Sequence, residues 1–88
     1  MPVYMVDRDL PGIQMEQLAA AQKVAIDLSQ KMTAQGKKVR YIRSAFVPGK
    51  AHCMCFFEAQ NPDVAKELNE TAGMPFKRIV EALDLTPK

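Results

Sequence analysis

Residues 39–59 read VRYIRSAFVPGKAHCMCFFEA, two strand-like segments on either side of a Pro-Gly pair. Segments 39–47 and 51–59 contain the β-branched and aromatic residues that favour strands. Between them, Pro48 presets φ and Gly49 supplies the positive φ of a tight turn. The stretch therefore predicts a β-hairpin at the centre of the chain.

On each side of this hairpin the sequence predicts one helix and one further strand. Residues 15–35 carry apolar side chains at steps of three and four and end at Gly36, which is typical of a helix and its C-terminal cap. Asn61, Pro62 and Asp63 form a helix start, with Asn as the N-cap. The outer strands are predicted at 3–8 and 78–85, the second helix ends at Gly73, and residues 86–88 form a tail.

The resulting order, βαββαβ, predicts one α+β domain over residues 1–88 with a ferredoxin-like fold. Both crossovers have the same hand, so both helices should cover one face of an antiparallel four-stranded sheet. The other face stays bare. Apolar groups on such a face predict an interface, most simply a homodimer that resembles the dimeric α+β barrels.

Alternation along each strand divides its side chains between the two faces of the sheet. Because one set contains more large apolar groups, we expect it to lie under the helices: Tyr4, Val6, Ile42, Phe46, Met54 and Phe56. The expected open face then carries Asp7, Tyr41, Arg43, Cys53, Cys55 and Phe57. From this face we select Asp7, Tyr41, Arg43, Cys55 and Phe57 as candidate pocket residues.

Asp7 and Arg43 would form a carboxylate–guanidinium pair on that open face. Such a pair can orient a ligand. It can equally tie two strands or two subunits together, and we favour this structural role.

Charge and composition argue against several classes of partner. The net charge is +2 over 88 residues, and the basic residues are scattered apart from a group around Lys37 and Lys38. The third strand lacks the basic and aromatic run of RNA-binding modules of this topology. No apolar run is long enough to span a bilayer. We therefore expect no nucleic acid and no membrane partner, and a cytoplasmic location in which Cys53 and Cys55 are free thiols.

The run His52-Cys53-Met54-Cys55 contains four side chains that can bind metals. In a strand, however, His52 and Met54 face away from Cys53 and Cys55, and the spacing matches no zinc motif. Two core thiols and a histidine at a strand end are the favoured interpretation of this run.

Four segments of the chain resemble a family of small bacterial ferredoxin-like proteins of unknown function that includes a nickel-binding protein. The resemblance is sharpest in Tyr4-Met5-Val6-Asp7-Arg8-Asp9-Leu10-Pro11-Gly12 and continues in Tyr41-Ile42-Arg43-Ser44, Cys55-Phe56-Phe57-Glu58-Ala59 and Gly73-Met74-Pro75. It implies the ferredoxin-like fold, a homodimer and divalent metal binding near the dimer surface. It implies no catalytic activity. This chain departs from the family in carrying Arg43 where a histidine is frequent and Asp7 where Glu is frequent.

Three hypotheses follow for the function. The leading one is a cytoplasmic homodimer that binds nickel, another divalent metal or a small molecule, with Asp7, Asp9, His52, Cys55 and Glu58 as the candidate metal ligands. The alternative is a small-molecule enzyme of the dimeric α+β barrel type, with Asp7 as the base and Arg43 as the anion-binding group (an analogy of fold). The third is an interaction module without a site.

Overall fold

The computed structural model describes residues 1–85 and has the predicted order of elements. The strands are β1 (Val3–Asp9), β2 (Val39–Val47), β3 (His52–Ala59) and β4 (Arg78–Ala82), and the helices are α1 (Met15–Ala34) and α2 (Pro62–Thr71). The strand predicted at 78–85 is therefore shorter than expected. The tail predicted at 86–88 lies outside the described residues.

The start of α2 and the end of α1 have the caps that the sequence predicts. The side chain of Asn61 accepts a hydrogen bond of 3.0 Å from the backbone N–H of Val64, which caps α2. After α1, Gly36 takes a φ of 93°, and the N–H of Lys37 reaches back to the carbonyl of Met32 at 2.9 Å. This is the left-handed cap for which glycine is suited.

The hairpin is present, but its turn differs from the prediction. Residues Pro48–Lys50 form a single turn of 3-10 helix, and Ala51 rather than Gly49 has the positive φ, 51°. Strand β3 consequently begins at His52. The extra turn explains the shift, because it uses Pro48 to start a helical turn and needs the left-handed residue only where that turn ends.

The four strands lie in the order β2-β3-β1-β4, all antiparallel. The central pair, β1 and β3, places Tyr4 opposite Phe57 and Asp9 opposite His52. Directly opposed side chains point to the same face of a sheet. This register therefore decides which residues of β3 lie under the helices.

The face assignment of β3 predicted from the sequence is wrong. Tyr4 and Val6 lie under the helices as expected, and their partners Phe57 and Cys55 lie there with them. Phe57 is fully buried, whereas Met54 and Phe56 are only partly covered and lie on the open face. Side-chain size favours the opposite assignment for β3. The register of the strand decides which face each side chain occupies, and a shift of one residue moves every side chain to the other face.

A bulge in β2 reverses the expected face of Tyr41. The pairing with β3 shifts between Tyr41 and Arg43, which leaves Ile42 as an extra residue. Tyr41 therefore packs edge-on against Phe57, with ring centroids 5.4 Å apart, on the same side as Phe46. Arg43 stays on the open face, as predicted.

The two helices cover one face of the sheet, which we call the covered face. The hydrophobic core lies between this face and the helices. Ala25 and Met32 of α1 and Ala65 and Leu68 of α2 are buried against it. No helix within residues 1–85 combines the length and the apolar character that crossing a membrane requires.

Candidate functional site

His52 lies between two carboxylates on the open face of the sheet. Its Nδ1 is 3.0 Å from Oδ1 of Asp9, and its Nε2 is 2.7 Å from Oδ1 of Asp7. Asp7 is 5% exposed, and within residues 1–85 its Oδ1 has no hydrogen-bond partner despite this short contact with the ring. One carboxylate oxygen beside the imidazole is thus buried and short of a donor.

Two cations hold the other oxygens of these carboxylates. The Nε of Arg78 donates to Oδ2 of Asp7 at 3.0 Å, and Nζ of Lys77 lies 2.7 Å from Oδ2 of Asp9. The hydrogen bonds from Lys77 and His52 hold the pKa of Asp9 below its ordinary value, and Asp9 raises that of Lys77. We call these five residues the charged cluster: Asp7, Asp9, His52, Lys77 and Arg78.

The structure divides the predicted metal ligands into three places. Asp7, Asp9 and His52 come together in the charged cluster. Cys55 points to the covered face, and Glu58 lies at the other end of β3, where it pairs with Arg40. Within residues 1–85 no group of three acidic, histidine or cysteine side chains is placed to hold one metal ion.

The predicted pocket residues are also separated. Asp7 and Arg43 lie on the open face, but Arg43 pairs with Asp84 rather than with Asp7, and no ion pair joins the two in the part of the chain that is described. Arg43 also lies over the ring of Phe56, 5.9 Å from its centroid. Tyr41, Cys55 and Phe57 are on the covered face, contrary to prediction.

Those three residues line a cavity between α1 and the sheet. The cavity has a volume of about 160 Å³ and is walled mainly by apolar side chains, among them Leu18 and Ala21 of α1. A chain of hydrogen bonds follows one wall from Gln22 through the hydroxyls of Tyr41 and Ser44 to the thiol of Cys55. A cavity on this face of the sheet was not expected from the sequence.

A buried arginine also lines the cavity. Arg8 is 2% exposed, and its Nη2 donates to Oδ1 of Asn69 at 2.6 Å. The signal in the sequence is the alternation of Tyr4, Val6 and Arg8, which places the guanidinium on the covered face. Asn69 is one of the buried residues of α2, and this position brings its side-chain oxygen to the guanidinium of Arg8.

The two cysteines on the covered face lie next to each other. Cys53 and Cys55 are free and buried, with their sulfurs 3.8 Å apart. Burial, and the second thiol next to it, raise the pKa of Cys53 to about 12. A nucleophilic thiolate is therefore disfavoured at this position.

Comparison with known proteins identifies a family by its sequence model and a solved structure with the same fold. The family model described as "Nickel responsive protein SCO4226-like" matches residues 4–82. The crystal structure of SCO4226 from Streptomyces coelicolor A3(2) superposes with a TM-score of 0.80 at 18% identity, covering 96% of this chain and 99% of that one. At this identity the superposition shows the fold. No curated protein matches the chain.

Proposed function

We propose that this chain, which belongs to the SCO4226-like family of nickel responsive proteins, binds nickel or another divalent metal ion through Asp7, Asp9 and His52. The observation that carries the proposal is the position of His52 between the two carboxylates. Imidazole nitrogen and carboxylate oxygen together suit borderline divalent ions of this kind.

The buried oxygen of Asp7 supports the same proposal. In the described part of the chain, Oδ1 of Asp7 is removed from water and has no hydrogen-bond partner, although Nε2 of His52 is 2.7 Å away. A buried acceptor without a donor is unfavourable. A cation that reached this oxygen would remove that cost.

The donor set fits a metal by its chemistry, but the charged cluster in its present arrangement does not surround one ion. Lys77 and Arg78 occupy the Oδ2 atoms of Asp9 and Asp7, and both cations have side chains about two-thirds exposed. The pair between Lys77 and Asp9 is exposed on both sides, and ion pairs of this type are weak. A divalent ion therefore competes with them for the carboxylates, and Lys77 is the easier of the two to displace because its partner Asp9 is itself exposed.

The proposal includes a homodimer formed through the open face. Met5, Met54, Phe56 and Val80 give that face an apolar centre, as their cross-strand pairing indicates. Charges of both signs surround it, which suits a twofold interface where the same surface meets itself. In such a dimer the charged cluster lies beside the interface, so metal binding and association would affect each other.

We place this function in the cytoplasm. The two buried thiols, 3.8 Å apart, suit its reducing conditions. Neither thiol belongs to the proposed metal site.

Isothermal titration calorimetry with nickel, and separately with zinc, tests the proposal. We expect binding heat with the unmodified protein and its loss in His52→Ala. The matched control is Glu58→Gln, which removes a carboxylate from the same strand roughly 20 Å away. No heat with either metal, or equal heat in His52→Ala, would overturn the proposal.

A further inference from the structure

Arg8 is buried in the wall of the cavity, and within the described residues 1–85 no anion balances its charge. None of the ion pairs within residues 1–85 includes it. Its Nη2 bonds to the neutral amide of Asn69, its Nη1 makes a long contact of 3.5 Å with the carbonyl of Pro75, and its buried Nε has no partner. Burying a charge without a counter-ion is costly.

The residues nearest to Arg8 do not supply that counter-ion. Cys53 stands opposite Arg8 in the sheet, but its sulfur contacts that of Cys55, 3.8 Å away, and the acceptors of Arg8 are Asn69 and Pro75. Asp7 and Asp9 flank Arg8 in the chain, yet alternation places both on the open face. No anion within residues 1–85 pairs with Arg8, and the cavity that it lines places an external anion within reach of the guanidinium.

The size and lining of the cavity define the rest of that molecule. A dry apolar cavity of roughly 150 Å³ is large enough for benzene, and this one measures about 160 Å³. Its walls accept an apolar body of one ring or a short alkyl chain. Pockets for drug-sized ligands measure about 300–1,000 Å³, so ligands of that size are too large for this cavity.

We propose that the cavity between α1 and the sheet binds a small monocarboxylate, of the size of benzoate or hexanoate, whose carboxylate pairs with Arg8. This site is separate from the metal site, because it lies on the covered face and shares no residue with the charged cluster. Guanidinium and carboxylate form strong, directional hydrogen bonds. The apolar body of the ligand packs between Leu18 and Ala21 of α1 and Phe57 of β3.

Calorimetric titration of the unmodified protein with benzoate, benzyl alcohol and benzylamine tests the role of the charge. Benzoate should bind at least about tenfold more tightly than benzyl alcohol, since a charged hydrogen bond is worth that much. Benzylamine should not bind. Equal affinity for benzoate and benzyl alcohol, or no benzoate binding, would overturn the proposal whatever the variants show.

Four variants locate the binding. Ala21→Leu fills the cavity and should abolish benzoate binding, whereas Ala20→Leu, at an exposed position of the same helix, should leave it unchanged. Asn69→Asp supplies an internal carboxylate to Arg8 and should weaken benzoate at least tenfold while sparing benzyl alcohol. Full benzoate affinity in both Ala21→Leu and Asn69→Asp would contradict the site.

His52→Ala changes a residue of the open face and should leave the affinity for benzoate unchanged. Loss of benzoate binding in His52→Ala would show that benzoate binds on the open face and would contradict the proposed site.

Discussion

Nε2 of His52 lies 2.7 Å from Oδ1 of Asp7, although the two residues are not directly paired in the sheet. Asp9 is the direct partner of His52, and Asp7 stands opposite Met54. The imidazole therefore reaches across β1 and β3 on a diagonal and contacts two carboxylates that lie two residues apart on one face. An antiparallel pair allows such diagonal contacts between long side chains.

Removal of Lys77 should strengthen metal binding. Lys77→Ala frees Oδ2 of Asp9, and because an exposed ion pair is worth less than about 1 kcal/mol the gain in nickel affinity should be up to about fivefold. Lys37→Ala is the control, since it breaks an exposed pair between the segment after α1 and Glu67 of α2. Calorimetry that gives the same affinity for Lys77→Ala, Lys37→Ala and the unmodified protein would show that nickel does not reach Asp9.

The pair between Asp9 and Lys77 should give stability a defined dependence on pH. The pKa of Asp9 is lowered in the folded protein, so its contribution is present above the unfolded pKa and is lost as the pH falls through the folded value, below pH ~4. The pKa of Lys77 is raised, so its contribution is present below the unfolded pKa and is lost as the pH rises through the folded value. Thermal unfolding measured across pH should therefore show less acid sensitivity in Asp9→Asn, and equal sensitivity would contradict the assignment.

The partnership of Asn69 with Arg8 should be important for stability. Asn69→Ala leaves a buried guanidinium N–H without its acceptor and should lower the free energy of unfolding by about 2–3 kcal/mol. Glu70→Ala changes the adjacent, exposed position of α2 and should have little effect. Urea denaturation of both variants makes the comparison, and equal midpoints would show that Arg8 does not depend on Asn69.

A charge placed at the centre of the open face should dissociate the proposed dimer. Phe56→Glu should yield a folded monomer, because Phe56 lies outside the core between the sheet and the helices. Ile26→Glu, an apolar-to-acidic change at an exposed position of α1, should leave the dimer intact. Analytical ultracentrifugation distinguishes the two outcomes. A monomer in the unmodified protein, or a dimer in Phe56→Glu, would rule out this interface.

The order of elements could be predicted from the sequence because its signals are local. Asn61 before a proline starts a helix and Gly36 ends one wherever the segment lies in the fold. Local signals do not decide which side chains of β3 lie under the helices, because both of its alternating sets contain a phenylalanine. Only the pairing of Tyr4 with Phe57 decides between them, and that pairing is a long-range property. The bulge at Ile42 also reverses the face of Tyr41, and no local pattern in the sequence indicates this bulge.

The candidate site was predictable to a similar extent. Asp7 and Asp9 share a face by alternation, and the correct register of β3 against β1 would have placed His52 beside them. Cys55 and Glu58 were included without that register, and the structure separates them from the cluster. Lys77 and Arg78 were not foreseen, because the pairing of β4 with β1 brings them there from the far end of the chain.

A crystal of the protein grown with nickel, with anomalous diffraction recorded at the nickel absorption edge, tests the central claim most directly. We predict one anomalous peak per chain, in coordination contact with a ring nitrogen of His52 and carboxylate oxygens of Asp7 and Asp9, with Lys77 turned away. A peak at any other set of side chains, or a charged cluster that keeps its Lys77 and Arg78 contacts in saturating nickel, would contradict the account.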